Sequence, residues 1–176
     1  MRTFLALEPP GENAMQIADW RDRQFGHVGR PVPPANFHLT LAFIGELSES
    51  ALERLCLTTE AWLADGGPPG GEILLDCTGY WPKPGIYWLG PHKWPETLSQ
   101  LAGKLRHLTS AVGARRDRNA FRPHVTLFRN CSSAPPVTAP AISWQYRHFT
   151  LFESRQGKTG VSYHPLQHWE LAPQDN

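Results

Sequence analysis

Hydrophobic and polar positions along the chain predict strands and helices in succession, with no long linker between them. Runs of apolar and β-branched residues predict strands at residues 3–7, 37–44, 72–78, 86–89, 124–128, 148–154 and 160–171. Apolar residues at helical spacing predict helices at residues 12–25, 50–63 and 98–112. Ser50 and Glu53 have the spacing of a capping box, so Ser50 is expected to cap the second helix. Segments rich in glycine, proline or serine separate these elements, at residues 29–34, 65–71, 81–85 and 132–140.

The second half of the chain repeats the order of the first. Each half offers a helix, a turn and a strand that opens with His-x-Thr-Leu, at His38 and again at His124, 86 residues later. A repeat this long relative to the chain indicates two similar lobes and not a solenoid. We therefore expect an α+β fold, with two pseudo-symmetric lobes of mainly antiparallel sheet and outer helices around a central cleft. Residues 1–176 are expected to form this single domain.

Composition narrows the class of protein. The 176 residues are 40% hydrophobic and 19% charged, which excludes an intrinsically disordered chain and suits one globular domain. Cys56, Cys77 and Cys131 are widely spaced without a CxxC pair, so neither a disulfide framework nor a cysteine zinc site is expected. The amino-terminal apolar run is too short for a signal peptide, and no apolar run is long enough to span a membrane. We expect a cytoplasmic protein with no membrane partner.

Positive charge is concentrated in one part of the chain. The formal net charge is only +1, yet residues 103–130 contain seven arginines and lysines against one acidic residue, Asp117. This segment therefore carries +6 and the remainder −5. Clustered basic residues bind the phosphate backbone of nucleic acids, which suits an RNA substrate, although a solvated loop would have the same composition at Arg115–Arg118.

The two His-x-Thr sequences carry the candidate chemistry. Because side chains on a strand alternate, His38 shares a face with Thr40 and His124 shares a face with Thr126. Two imidazoles can act as a base and an acid near neutral pH, which phosphodiester cleavage requires, and threonine hydroxyls can hydrogen-bond the phosphate oxygens. General acid or base catalysis contributes roughly 10²–10⁴-fold for each group, so the pair can provide much of the rate without a metal. A single such histidine is more often structural, whereas two in equivalent places favour one shared site.

These sequences also carry a family resemblance. HLTLAFIGE and RPHVTLFR resemble the paired H-x-[ST] motifs of the 2H phosphoesterase superfamily, and in particular of the bacterial RNA 2′,3′-cyclic phosphodiesterases, once named 2′-5′ RNA ligases. The opening RTFLALEPP, the WLG at residues 88–90 and the closing YHPLQHWEL fit the same family over nearly the whole chain. The resemblance implies two lobes of antiparallel sheet and helices around a cleft. It also implies hydrolysis of an RNA 2′,3′-cyclic phosphate to a 2′-phosphate, with no metal or cofactor.

The resemblance assigns roles that the residues alone leave open. It implies that His38 is the general acid that protonates the leaving 3′ oxygen and that His124 is the base that activates water. It implies that Thr40 and Thr126 hold the phosphate oxygens. Nothing in the sequence itself decides which histidine is the acid.

Further candidates lie near the two motifs. Arg122 shares the face of His124 by alternation, and Arg129 stands where the family usually carries an arginine, so both are candidate phosphate contacts. Phe128 also shares the parity of His124 and could stack an RNA base in the cleft. Phe43 is of opposite parity to the first histidine, so core packing is expected ahead of base stacking.

The expected partner is an RNA with a 2′,3′-cyclic phosphate end, tRNA fragments included, and the chain is expected to be a monomer. Three alternatives stay open at this point. One is a related substrate, such as a small cyclic nucleotide or an ADP-ribose cyclic phosphate, and another is the reverse reaction that joins RNA ends through a 2′-5′ bond. The third is an RNA-binding module without catalysis, although binding alone needs no paired acid and base.

Overall fold

Three α-helices divide the strands of the described residues into groups of one, two, three and four. The computed structural model describes residues 1–174, and within that range it contains ten strands and three α-helices, with a short 3₁₀ helix at Pro34–Asn36. In chain order they are β1 (Arg2–Leu7), α1 (Gly11–Gln24), β2 (Arg30–Pro31), β3 (Leu39–Glu46), α2 (Glu49–Ala64), β4 (Gly71–Leu75), β5 (Cys77–Trp81), β6 (Ile86–Gly90), α3 (Glu96–Ala111), β7 (Val125–Arg129), β8 (Ile142–Tyr146), β9 (His148–Gly157) and β10 (Gly160–Glu170). No helix of the described part is long and apolar enough to cross a membrane.

The strands form two four-stranded sheets, and each contains one of the His-x-Thr strands. The first sheet has the order β10-β9-β1-β3 and the second the order β2-β7-β6-β5, while β4 and β8 form a separate pair. Every neighbouring pair within these sheets is antiparallel. β3 is the edge strand of the first sheet, whereas β7 lies between β2 and β6 in the second. Two four-stranded antiparallel sheets with helices confirm the predicted α+β fold of two antiparallel lobes.

The helices cover the two sheets and join them into one core. The predicted apolar face of α3 is confirmed, since Leu98, Leu101 and Leu105 are completely buried. This helix packs on β3 of the first sheet as well as on α2, so a helix from the second half supports the strand of the first motif. Buried residues of both sheets share one large hydrophobic cluster, which fixes the two lobes relative to each other. Phe4, Ala6 and Phe152 of the first sheet form a second, smaller cluster.

Some boundaries differ from the prediction. The second helix begins two residues earlier than the capping box suggested, because the Ser48 hydroxyl, and not that of Ser50, accepts the backbone N–H of Ala51. The predicted strand 72–78 is two strands, β4 and β5, which pair with different partners. The chain changes direction between them at Asp76, whose carboxylate accepts the backbone N–H of His92.

Two strands were missing from the prediction. β8 follows the proline-rich loop, and its alternation of buried Ile142, Trp144 and Tyr146 with exposed residues was a readable period-two signal. β2 has only two residues, one of them a proline, and carries no pattern that a sequence could reveal. It exists because it pairs with β7.

A buried arginine links the two His-x-Thr segments. Arg21 on α1 is only 4% exposed, and its Nη1 donates hydrogen bonds to the carbonyls of Val32 (2.6 Å) and Leu127 (3.2 Å). The guanidinium also lies against the rings of Phe37 and Phe128, 5.3 and 5.5 Å from their centroids. Because Phe37 immediately precedes His38 and Leu127 belongs to β7, one side chain contacts both motifs.

We expect Arg21→Leu to lower the free energy of unfolding by about 3 kcal/mol, because the substitution leaves the buried Val32 carbonyl without its charged donor. Urea denaturation followed by circular dichroism measures this. Arg23→Leu, on the exposed side of the same helix, is the matched control and is expected to change stability by less than about 0.5 kcal/mol. Equal stability of the two variants would contradict a linking role for Arg21.

Candidate active site

Each motif histidine stands immediately before its strand and is held by the backbone. The Nδ1 of His38 lies 2.9 Å from the carbonyl oxygen of Asn36, and the Nδ1 of His124 lies 2.8 Å from that of Arg122. A carbonyl oxygen can only accept, so Nδ1 carries the hydrogen in both rings. Both neutral imidazoles therefore have the same tautomer, with Nε2 as the nitrogen that takes up or releases a proton.

Aromatic rings hold the two imidazoles in corresponding ways. His38 packs against Phe4 and Tyr163, each with a centroid distance of 4.9 Å. His124 packs against Trp81 at 4.7 Å and Trp88 at 6.1 Å. In each lobe one ring comes from the strand beside the motif strand, β1 or β6, and the other from a strand farther away along the chain. None of these four rings was predicted as part of the site, because no local pattern marks a ring that reaches a histidine from another strand.

A glycine makes room for one of these rings. Gly79 on β5 is the cross-strand partner of Trp88 on β6. A β-carbon built on Gly79 would overlap the indole of Trp88, so no larger residue fits there without moving the ring. The glycine in this strand thus marks a close approach, and it positions a wall of the His124 site.

The two threonines have the orientation that alternation predicts. Leu39 and Leu41 are completely buried, while Thr40 between them is partly exposed. In the second motif Thr126 is likewise partly exposed between two completely buried neighbours. Both hydroxyls therefore lie on the face opposite the core, beside the histidine of the same motif.

Burial and positive charge favour the neutral form of both histidines. Burial lowers the pKa of His38 from 6.5 to about 4; the hydrogen bond to Asn36 opposes this, and the charges of Arg129 and His124 add to it. Burial also lowers the pKa of His124, opposed by its hydrogen bond to Arg122 and assisted by the charges of Arg122 and Arg129. Arg129 thus acts on both imidazoles, and each motif lies within electrostatic reach of the other.

The two candidate arginines have different environments. The guanidinium of Arg122 stacks between Trp88 and Trp94, 4.7 and 5.7 Å from their centroids, and is partly buried. Arg129 is exposed, and its cross-strand partner on β2 is Arg30, also exposed. Two like charges directly opposite each other repel, so an anion placed between them would be stabilising. Arg30 is a candidate that the sequence analysis missed, since only the short pairing of β2 with β7 brings it here.

The burial of the two candidate phenylalanines is the reverse of what was predicted. Phe128 is 3% exposed and packs on Phe25 and against Arg21, so the expectation that it stacks a base in the cleft is wrong. Phe43 is 60% exposed, so the expectation of core packing is wrong as well.

A β-bulge explains the exposure of Phe43. Ala6 pairs with Thr40, but the next residue of β1, Leu5, pairs with Ala42, so Leu41 is an extra residue in β3. The extra residue inverts the alternation beyond it and turns Phe43 to the same face as Thr40. The alternation predicted from the sequence therefore holds only as far as Leu41.

Outside the two motifs, no metal-binding cluster is present in the described part. Within residues 1–174 no group of three or more histidine, cysteine, aspartate or glutamate side chains is arranged to hold a metal ion. The groups gathered near the motifs are imidazoles, hydroxyls and guanidiniums. Imidazoles can transfer protons near neutral pH, and hydroxyls and guanidiniums can donate hydrogen bonds to an anion.

Comparison with known proteins identifies the family. The model of the 2′-5′ RNA ligase superfamily matches residues 9–157. The chain is 36% identical over 173 residues to the RNA 2′,3′-cyclic phosphodiesterase of Escherichia coli (strain K12), which covers 97% of this chain and 96% of that protein. It is 32% identical over 159 residues to the protein of the same name from Archaeoglobus fulgidus, with 88% and 87% covered.

Solved structures agree. The crystal structure of Escherichia coli LigT complexed with 3′-AMP matches with a TM-score of 0.89 and 36% identity, over 97% of each chain. A crystal structure described as a phosphoesterase matches with a TM-score of 0.91 and 36% identity, over 98% of each chain. Paired His-x-Thr strands, two antiparallel lobes and these matches lead to one conclusion: the chain belongs to the 2′-5′ RNA ligase superfamily.

Proposed function

We propose that this protein hydrolyses the 2′,3′-cyclic phosphate at RNA ends to a 2′-phosphomonoester, with His38 and His124 as the catalytic pair. The observation that carries the proposal is the matched arrangement of the two imidazoles. Each donates from Nδ1 to a backbone carbonyl, is enclosed by two aromatic rings, and keeps Nε2 for proton transfer. Relatives that share nearly the whole chain are named RNA 2′,3′-cyclic phosphodiesterases.

The reaction transfers two protons on opposite sides of phosphorus. In our assignment, which follows the family resemblance, His124 Nε2 takes a proton from water as the water oxygen bonds to phosphorus. The bond between phosphorus and the 3′ oxygen breaks, and His38, protonated at Nε2, gives its proton to that oxygen. The hydroxyls of Thr40 and Thr126 donate hydrogen bonds to the non-bridging oxygens as their charge grows. Exchange of protons with solvent restores both histidines.

The substrate itself supplies the conditions for the acid. Burial and arginine charge keep both imidazoles neutral in the free protein at neutral pH. A cyclic phosphate carries one negative charge, and a negative charge beside an imidazole favours its protonated form. Binding of the phosphate therefore raises the pKa of His38, the proposed acid, toward neutral pH. Arg129 and Arg30, whose charges repel each other across β7 and β2, are proposed to contact the same phosphate.

Three finer assignments complete the proposal. We infer that the protein works as a monomer, because all the groups invoked come from one chain. We infer a cytoplasmic site of action, in accord with three free cysteines. Fragments of tRNA that end in a cyclic phosphate are proposed among the substrates, in accord with the +6 charge of residues 103–130.

The first test uses a synthetic RNA that ends in a 2′,3′-cyclic phosphate, incubated with the full chain in the presence of a chelator. The expected product is the 2′-phosphate, resolved from the 3′-phosphate by chromatography. His38→Ala and His124→Ala are each expected to lower kcat by about 10²–10⁴-fold, the usual contribution of one general acid or base.

A third histidine serves as the control for this test. His107 is exposed on α3 and away from both motifs, so His107→Ala is expected to retain the wild-type rate. Absence of the 2′-phosphate product would overturn the proposed function. Equal rates for all three alanine variants would overturn the two-histidine mechanism.

The second test is the pH dependence of the same reaction. The active form holds His38 protonated and His124 neutral, so kcat/KM is expected to be bell-shaped. Since both pKa values lie below 6.5 in the free protein, and that of His38 at about 4, the maximum of kcat/KM is expected on the acidic side of pH 6.5. The alkaline limb of kcat is expected at higher pH, because bound phosphate raises the pKa of the acid.

Arg129→Gln provides the matched variant for the pH profile. It removes a positive charge that lowers the pKa of both imidazoles, so the whole kcat/KM bell is expected to move to higher pH. The maximum rate is expected to fall as well, through loss of a phosphate contact. A profile that changes in one direction only, or a bell that stays in place in this variant, would be inconsistent with the proposed electrostatics.

A further inference from the structure

We propose that a groove beside the catalytic face binds the single-stranded RNA that precedes the cyclic phosphate. We call it the β3 groove: it is lined by Phe43, Ile44 and Gly45 on one side and by residues 115–119 on the other, and has a volume of about 1170 Å³. The inference rests on the proposed function and deepens it. It assigns an oligonucleotide, and not a free cyclic mononucleotide, as the preferred substrate.

The first wall of the β3 groove continues the catalytic strand. Phe43 pairs across the sheet with Phe4, whose ring contacts His38 at 4.9 Å, so all three side chains lie on one face. Phe43 is three residues beyond Thr40, about 10 Å along the strand. A nucleotide chain whose terminal phosphate lies at Thr40 can therefore extend to Phe43.

The exposed ring has the chemistry of a base-stacking platform. The side chain of Phe43 is 60% exposed, which leaves apolar surface in contact with water, and it faces an open groove. Exposure of apolar surface is unfavourable unless a ligand covers it. Aromatic rings on sheet surfaces stack nucleobases without regard to base identity. The bulge at Leu41 is what brings this ring to the catalytic face.

The second wall is strongly positive. Arg115, Arg116 and Arg118 are exposed, and within residues 1–174 none of the three has a carboxylate within the 4.0 Å of an ion pair. The acidic residue among them, Asp117, is already engaged by Arg106, at 3.6 Å. Three uncompensated positive charges thus line the groove opposite Phe43.

Arg106 also holds this loop in shape. Its Nη1 donates to the carbonyl of Asn119 (2.8 Å), and Asp117 accepts the backbone N–H of Asn119 (2.9 Å). The loop is therefore anchored to α3, while its three other arginines stay available for a ligand. A ligand with flat aromatic groups and regularly spaced negative charges suits both walls, and single-stranded RNA has both properties.

The test compares two substrates for each variant. One is an oligoribonucleotide of several nucleotides with a 2′,3′-cyclic phosphate end, and the other is the matching nucleoside 2′,3′-cyclic monophosphate. Phe43→Ala is expected to lower kcat/KM for the oligonucleotide about tenfold, the effect of losing one stacked base. The triple variant Arg115→Gln, Arg116→Gln, Arg118→Gln is expected to lower it by a similar factor or more and to weaken its salt dependence. Turnover of the mononucleotide is expected to change less than twofold.

Two control variants match these changes in size and charge. Leu57→Ala removes a side chain on α2 that is also 60% exposed, and the triple variant Arg23→Gln, Arg54→Gln, Arg147→Gln removes three exposed charges elsewhere. Both controls are expected to keep the wild-type kcat/KM for each of the two substrates. Circular dichroism checks that all variants are folded.

The outcomes separate this inference from the proposed function. Equal loss on both substrates, or no loss on the oligonucleotide, would overturn the β3 groove while leaving the phosphodiesterase proposal in place. If the wild type turns over neither substrate, the phosphodiesterase proposal fails, and binding of the labelled oligonucleotide is measured instead. An unchanged Kd in the groove variants would then overturn the β3 groove, and a Kd raised about tenfold or more would support it without catalysis.

Discussion

The contacts of Arg21 are the constraint on which the rest of the site depends. A buried guanidinium must satisfy its hydrogen-bond donors inside the protein. Arg21 donates from Nε to the neighbouring Asp22, and from Nη1 to two carbonyls that belong to segments far apart in sequence. One segment leads directly into His38 and the other follows His124. Both motifs therefore contact the same side chain, Arg21, which lies between Phe37 and Phe128. Their relative position is a property of the core and not of the flexible surface.

Strand pairing also connects the two motifs. β2 pairs with β7, and the chain then continues through residues 32–37 into the first motif, so a single stretch of backbone connects the two His-x-Thr strands. The aromatic rings beside each histidine come from neighbouring and more distant strands of its own sheet. These rings cover part of each imidazole, which accounts for burial as the main cause of the lowered pKa of both histidines. Packing and proton chemistry are thus set by the same side chains.

Local patterns predicted the two-lobed architecture and the two histidines, because repetition of His-x-Thr and the apolar face of α3 are visible within short windows. They failed where a long-range pairing decides the outcome. The positions of Phe43 and Phe128 were predicted from the alternation of side chains along a strand. A bulge turns Phe43 to the opposite face of β3, and Phe128 is buried against Phe25 and Arg21. Arg30 and the aromatic rings beside the histidines were not predicted, because only strand pairing brings Arg30 opposite Arg129 and the rings to the histidines. The capping serine was misplaced by two residues, within the ambiguity of a Ser-Glu-Ser sequence.

The tethering of both rings to main-chain oxygens has an evolutionary consequence. In many enzymes a carboxylate orients the histidine, and a single substitution of that carboxylate abolishes the orientation. Here the acceptors are the carbonyls of Asn36 and Arg122, which every amino acid possesses. Mutation at either position leaves the acceptor in place as long as the chain follows the same path. The tautomer of both histidines therefore depends on the path of the backbone, and surrounding side chains can change during evolution while Nε2 stays free of a hydrogen on each neutral ring.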